Sequence, residues 1–333
     1  MDKDSLIPVL ESCLGPRADL FDERHQSAFR LFNGFYEGYP DIVVDLYAAT
    51  LVIHNYAEVS VKGVPLVETA QEFYLSKLPW LQVVIVKTRS AEDQEERRGQ
   101  IVYGEKPDRK VREHGVWYAL DLTMHRDASL YLDTRHLRKW AIDNLQGKTV
   151  LNTFAYTGSL GVAAMGGGAK RVIHTDLNRK FLNVAKTSYT LNGFPIDKKD
   201  FISGDFFPVV SRLKRSGELF DCVFLDPPFF SSTDKGTVDL SESKRLINKV
   251  RPLIADGGWL VAVNNALFLS GDAYKAMLEE LCADGYLHVE SIVPIPEDFT
   301  GYPETRVGEF VVDPAPFNHP TKIAILKVRR KET

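Results

Sequence analysis

The chain has 333 residues, enough for two domains, and its 44% hydrophobic and 26% charged content is that of a globular protein. No stretch approaches the roughly 18 apolar residues of a membrane span, and the start, Met1-Asp2-Lys3-Asp4-Ser5, lacks the basic and apolar runs of a secretory signal. The net charge of −4 argues against a dedicated nucleic-acid coat protein, yet leaves room for an enzyme that meets RNA through one local basic face.

Three cysteines, Cys13, Cys222 and Cys282, are far apart and odd in number. They suit a reducing compartment and offer neither a disulfide framework nor a zinc-ligand spacing. The expectation is a cytoplasmic protein with no metal site.

In chain order, residues 41–56 (DIVVDLYAATLVIHNY) read as two β-rich runs around a short turn, after loop signals at Gly34 and Gly38. Residues 64–78 have helical periodicity, and 83–87 (VVIVK) form a short strand. The charged stretch 91–100 reads as a solvated loop or helix face, and 117–122 as another strand. Residues 1–120 are therefore expected to form a small α+β domain. From about Leu137 strands and helices alternate. Strands are expected at 149–154, 171–176, 201–203, 220–225 and 258–264, with helices at 160–165, 180–191, 208–215 and 243–254 between them. Strand candidates at 287–293 and 322–328 close the chain as an edge hairpin. This pattern predicts an α/β domain over 121–333 with a Rossmann-like, doubly wound sheet.

Ligands of such a sheet sit beyond the carboxyl ends of its strands, and four features fall there. Asn152, Thr153, Phe154, Ala155, Tyr156, Thr157 and Gly158 follow the first strand, a small or polar turn that lets backbone approach a cofactor. The turn lacks Gly-x-Gly-x-x-Gly and so the tight cradle of a dinucleotide; an ordinary strand-to-helix loop is the plain alternative. Asp176 ends the second strand, where a carboxylate can accept from a ribose diol, or else cap a helix. Gly204-Asp205-Phe206 follows the third strand. Its Asp suits an exocyclic adenine amine and its Phe a ring face, unless the Phe simply fills the core. Asp226-Pro227-Pro228-Phe229-Phe230 follows the fourth. Its stiff, acceptor-rich turn and aromatics suit a planar nitrogenous substrate beside a methyl donor. That is the most specific signal in the chain.

Together these segments resemble class I S-adenosylmethionine-dependent methyltransferases, and more narrowly the bacterial large-subunit ribosomal RNA methyltransferases that modify cytosine C5 or guanine N7. Tyr131-Leu132-Asp133-Thr134-Arg135 is similar to that family's Phe-Leu-Asp-x-Arg segment over the cofactor. Residues 32–47 and 102–122 resemble its small substrate-side domain, so the likeness covers most of 30–265. It implies S-adenosylmethionine as cofactor and RNA as partner. The cofactor would be lined by Asp133, Arg135, Asn152, Phe154, Ala155, Tyr156, Thr157, Gly158, Leu177 and Asp226, with Asp176 on the ribose and Asp205 and Phe206 on the adenine.

Two departures stand out. Family members often carry a further N-terminal RNA-binding domain, and this chain is expected to begin after it. Cytosine-C5 methylation needs a thiolate that adds to the ring, which those members place in a Ser-Cys-Ser turn. Here the turn reads Val263-Asn264-Asn265-Ala266, with no sulfur. Cys222, inside a strand, reads as a core residue. Asn264 and Asn265 resemble the guanine-N7 members, where orienting a ring nitrogen suffices, although a loop cap is the alternative. The expected activity is methylation of a guanine-like nitrogen of RNA, with Asp226, Pro227, Phe229, Phe230, Asn264 and Asn265 at the substrate. A small-molecule or protein methyltransferase is the runner-up. The missing Gly-x-Gly-x-x-Gly disfavours a nicotinamide-dependent oxidoreductase, and the intact cofactor residues disfavour a silent RNA-binding module.

Overall fold

A computed structural model describes residues 3–228 and 240–330. Helix α1 (Lys3–Leu14) buries Leu6, Leu10 and Cys13, the stripe that its 3.6-residue period lines up. Strands β1 (Ala28–Asn33), β2 (Ile42–Tyr47) and β3 (Thr50–Asn55) form an antiparallel meander. Helix α2 (Ser60–Lys77) then crosses over to β4 (Val83–Thr88), which pairs parallel with β3. The short α3 (Gln94–Arg98) leads to β5 (Gln100–Tyr103) at the sheet edge, and a separate hairpin follows, β6 (Lys110–Glu113) with β7 (Val116–Ala119). Leu66, Ala70, Phe73 and Tyr74 of α2 and the α1 stripe share one core with Phe29, Leu31, Val44 and Ile53 of the sheet.

These elements belong to one compact unit, residues 1–132, which also takes back residues 296–309. The expected boundary at residue 120 thus falls short of the observed one. Arg112 N bonds Gln26 O, and the Tyr47 hydroxyl donates to Leu130 O, so the chain through residue 130 stays tied to this sheet. The returning segment carries a short helix, Glu297–Thr300, whose Asp298 accepts from Arg30 N at 2.9 Å.

The second unit holds residues 133–295 and 310–333. After α4 (Arg135–Asn144) come β8 (Thr149–Thr153), α5 (Ser159–Gly166), β9 (Arg171–Asp176), α6 (Arg179–Asn192), β10 (Phe201–Ser203), α7 (Phe206–Ser216) and β11 (Phe220–Leu225). Then follow α8 (Leu240–Val250), β12 (Ile254–Asn264), α9 (Gly271–Cys282), β13 (Leu287–Ile292) and β14 (Lys322–Val328). The seven strands lie in the order β10-β9-β8-β11-β12-β14-β13. The first five are parallel and β14 is antiparallel to both neighbours. The winding reverses between β8 and β11, which is where an open α/β sheet leaves a crevice. This is the doubly wound architecture expected from the alternation.

Strand residues alternate between two helical layers. Leu151, Ile173, Val223, Leu225 and Leu260 face α7, α8 and α9, while Phe224 meets Trp140 of α4 and His174 meets α5 and α6. The amphipathic run expected over 243–254 stops at Val250, because Pro252 cannot extend it, and Ile254 already belongs to β12. No helix among the described residues is long and apolar enough to cross a membrane.

His174 is wholly buried, and burial pushes its pKa down to about 3. The unfolded chain therefore binds a proton here that the folded chain refuses. The stability that neutral His174 supports is complete above pH 6.5 and drains as pH falls toward 3. Below about pH 6 we expect it to add up to about 1.4 kcal/mol of lost stability per pH unit. Urea unfolding of the protein and of His174→Phe from pH 7 to 5 checks this, the variant giving the flatter profile.

Candidate active site

The chain leaves β8 through a loop in which L-residues adopt the left-handed region: Phe154 at φ 51°, Tyr156 at φ 50° and then Gly158 at φ 79°. Each non-glycine residue there costs about 1–2 kcal/mol, so the surroundings must hold it. They do so through β9. Ala155 N donates to Thr175 O at 2.9 Å and Tyr156 N to Asp176 Oδ2 at 2.8 Å. Gly158 then opens α5. Ala155 and Thr157 are buried in this loop, and the Asn152 side chain is buried beneath it, 3.4 Å from His174.

Asp176 does not cap α6; Asn178 does, accepting from Lys180 N. Asp176 Oδ1 accepts instead from Asn178 N at 2.8 Å. Burial pushes this carboxyl up, and the two backbone amides pull it partly back. Each of its oxygens keeps a further lone pair for a ligand. Leu177, the next residue, is an apolar side chain 76% exposed. Asp205 is exposed and caps α7 through Oδ1, which accepts from Phe207 N at 3.0 Å. Phe206 is buried and stacks on Phe154 with centroids 4.7 Å apart and planes 19° from parallel. That pair joins the loop after β8 to the one after β10.

At the reversal point, Asp226 follows β11. Asn265, just past β12, donates its amide to Asp226 Oδ1 at 3.3 Å. Burial and the nearby charge of Asp133 raise Asp226 to about 7, while the Asn265 bond opposes the rise. A carboxyl in that range changes ionisation near neutral pH. Asp133 lies in the turn before α4, which Arg135 opens, and its Oδ2 accepts from the Thr321 hydroxyl at 3.1 Å. Asn264 turns inward: its Oδ1 accepts from Ala266 N and its Nδ2 reaches Ser243 Oγ. Of the two asparagines, Asn265 is the one that meets Asp226. Pro227 is half-buried beside it. Phe229 and Phe230 lie outside the described residues.

Sequence reasoning missed Thr321 and Lys322, which reach this region from β14. Nothing in the apolar run that follows, residues 323–326, marks them. The cysteines lie elsewhere. Cys222 is buried inside β11 with its thiol pushed up by burial, and Cys13, raised to about 12 for the same first reason, belongs to the other unit. Cys282 ends α9, its thiol also raised by burial.

Residues 79–302 match the S-adenosylmethionine-dependent methyltransferase family. That is more than half of the chain, and the chain belongs to this family. It uses S-adenosylmethionine as its methyl donor. Among its relatives is the protein named ribosomal RNA large subunit methyltransferase I of Vibrio cholerae, 30% identical over 91% of this chain and 79% of that protein. The Aeromonas hydrophila protein of the same name is 29% identical over 86% of this chain and 72% of its own length. In fold, the chain is similar to the crystal structure of SMU.776 complexed with SAH, with a TM-score of 0.82 at 21% identity. That likeness covers 98% of this chain and 82% of SMU.776.

Proposed function

We propose that this methyltransferase acts on a guanine-like base nitrogen of RNA, with no covalent bond between enzyme and base. The observation that carries the reading is the Asp226–Asn265 pair at the reversal of the sheet, on a turn, residues 263–266, that holds no cysteine. The partner class is supported by the relatives, whose names state that they methylate large-subunit ribosomal RNA. A carboxylate that accepts and an amide that donates complement the N–H and C=O groups along a purine edge. A base nitrogen already has a lone pair, so alignment with the methyl group supplies much of the rate.

The bound cofactor supplies an electrophilic methyl on a sulfonium. In this reading Asp176 would accept from the ribose diol, Leu177 would cover one side of the adenine and Asp205 would receive its edge, while Phe206 packs in the core behind it, stacked on Phe154. The backbone of Asn152, Phe154, Ala155, Tyr156, Thr157 and Gly158 would line the cofactor, together with Asp133 and Arg135. Asp226 faces both the cofactor and the base, and Pro227 fixes its direction. A base must leave its stack to enter such a site, and Phe229 or Phe230 offers the aromatic face that offsets part of this cost.

If Asp176 holds the ribose, Asp176→Ala removes hydrogen bonds worth about 1.5–3 kcal/mol. Affinity for S-adenosylmethionine should drop roughly ten- to hundredfold. Calorimetry on the folded variant checks this, and unchanged affinity removes Asp176 from the site. For the substrate, the enzyme is given methyl-labelled cofactor and a cell extract, then RNA, protein and small-molecule fractions are counted. Label in RNA is expected; label confined to either other fraction favours the runner-up.

A further inference from the structure

The Asn264–Asn265 turn is held by a residue outside the four strand-end motifs. Lys322 opens β14 and lies opposite Asn264 in antiparallel register. Its side chain is fully buried, and its ammonium donates to Ala266 O at 3.1 Å and to Pro320 O at 2.6 Å. Among the described residues its partners are these carbonyls, with no carboxylate in ion-pair range. Burial accordingly holds its pKa down, to about 8. Filling a core position this way is costly, since an apolar side chain of similar length packs without desolvating a charge.

What the lysine gains is control of one turn. Ala266 is gripped at both ends, its amide by Asn264 Oδ1 and its carbonyl by Lys322. The residue before Lys322, Thr321, donates to Asp133. One strand end thus holds both groups that act on Asp226: Asp133, whose charge opposes its ionisation, and Asn265, whose amide bonds it.

We infer that Lys322 is a positioning residue for methyl transfer: by fixing the Ala266 carbonyl it sets the turn on which Asn265 meets Asp226 and aligns the base. The inference rests on the reading of Asp226 and Asn265 as the substrate side of the site.

The test is a double-mutant cycle on the full chain. Wild type, Lys322→Met, Asn265→Ala and the double variant are assayed with tritiated S-adenosylmethionine and in vitro-transcribed large-subunit ribosomal RNA. Melting temperature and cofactor affinity are measured alongside. Lys322→Met should lose at least tenfold in kcat, while it still unfolds in one cooperative transition and keeps cofactor affinity within twofold. The double variant should be no worse than Asn265→Ala alone, within twofold. Lys322→Gln, which keeps a donor for the Ala266 carbonyl, should recover part of the loss. Independent, multiplicative losses overturn the inference, as does full kcat in Lys322→Met beside an impaired Asn265→Ala. Failure of both Lys322 variants to fold also overturns it, marking the lysine as structural. Full turnover in Asn265→Ala sinks the reading of the site and the inference with it. Labelling of RNA by the wild type, measured first, tests the substrate class separately.

Discussion

Asp226→Asn should lower turnover by about 10²–10³-fold while making the protein more stable at pH 8. The two effects have one cause. Methylating a ring nitrogen moves positive charge from the sulfonium onto the base, and a fixed carboxylate beside that path favours the transition state. Losing one such oriented group typically costs about 10²–10³ in kcat. The same carboxylate is costly to the fold, because burial and Asp133 hold its pKa at about 7, above the ordinary 3.8. With the folded pKa raised, Asp226 costs nothing below pH 3.8; its penalty grows from there to about pH 7 and is constant above it. Removing that penalty should stabilise the protein by about 2 kcal/mol at pH 8, after allowance for partial exposure, and by almost nothing at pH 4. Melting curves and single-turnover rates across pH 4–8 test both halves. Wild-type kcat/KM should rise with pH through about 7, and the variant's profile should be flat there.

Gly158→Ala is expected to damage fold and cofactor binding together. At φ 79° an added Cβ is strained by about 1–2 kcal/mol. It would also lie 2.6 Å from Ala185 Cβ and 3.1 Å from His174 Nδ1, both of them buried. Overpacking of this kind costs about 1–3 kcal/mol. We expect a total loss near 3 kcal/mol in denaturant unfolding. Because the same residue ends the Phe154–Gly158 loop, cofactor affinity should fall in whatever fraction stays folded. A variant with wild-type midpoint and affinity would mean that the loop is not built as described.

The parts of this molecule that were legible in its sequence are those made by local pattern. β9 and β11 occupy the spans expected of them, 171–176 and 220–225, because short β-rich runs bounded by turn residues mark strands of a covered sheet. The reversal of winding was implied by alternating strands and helices, and it brings Asp226 and Asn265 together from different strands. Other elements carry no such pattern. β5 is exposed along its whole length, and α4 buries Arg138, bonded to Thr134, within its inner face, so charge hides the stripe. The left-handed Phe154 and Tyr156 are set by β9 and not by their own preferences. Asp298, Thr321 and Lys322 act at residues far away in sequence, and no window along the chain contains both partners.

The most direct test of the account is the nucleoside formed by a cysteine-free protein. Cys13, Cys222 and Cys282 are replaced together by Ala. The variant is supplied with methyl-labelled S-adenosylmethionine and large-subunit ribosomal RNA, which is then digested to nucleosides and resolved by mass. Nitrogen chemistry needs no thiol, so the variant should retain methyl transfer and the label should sit on a nitrogen-methylated guanosine. Label on 5-methylcytidine from the wild type, lost when one cysteine is replaced, would contradict the account and require a covalent intermediate.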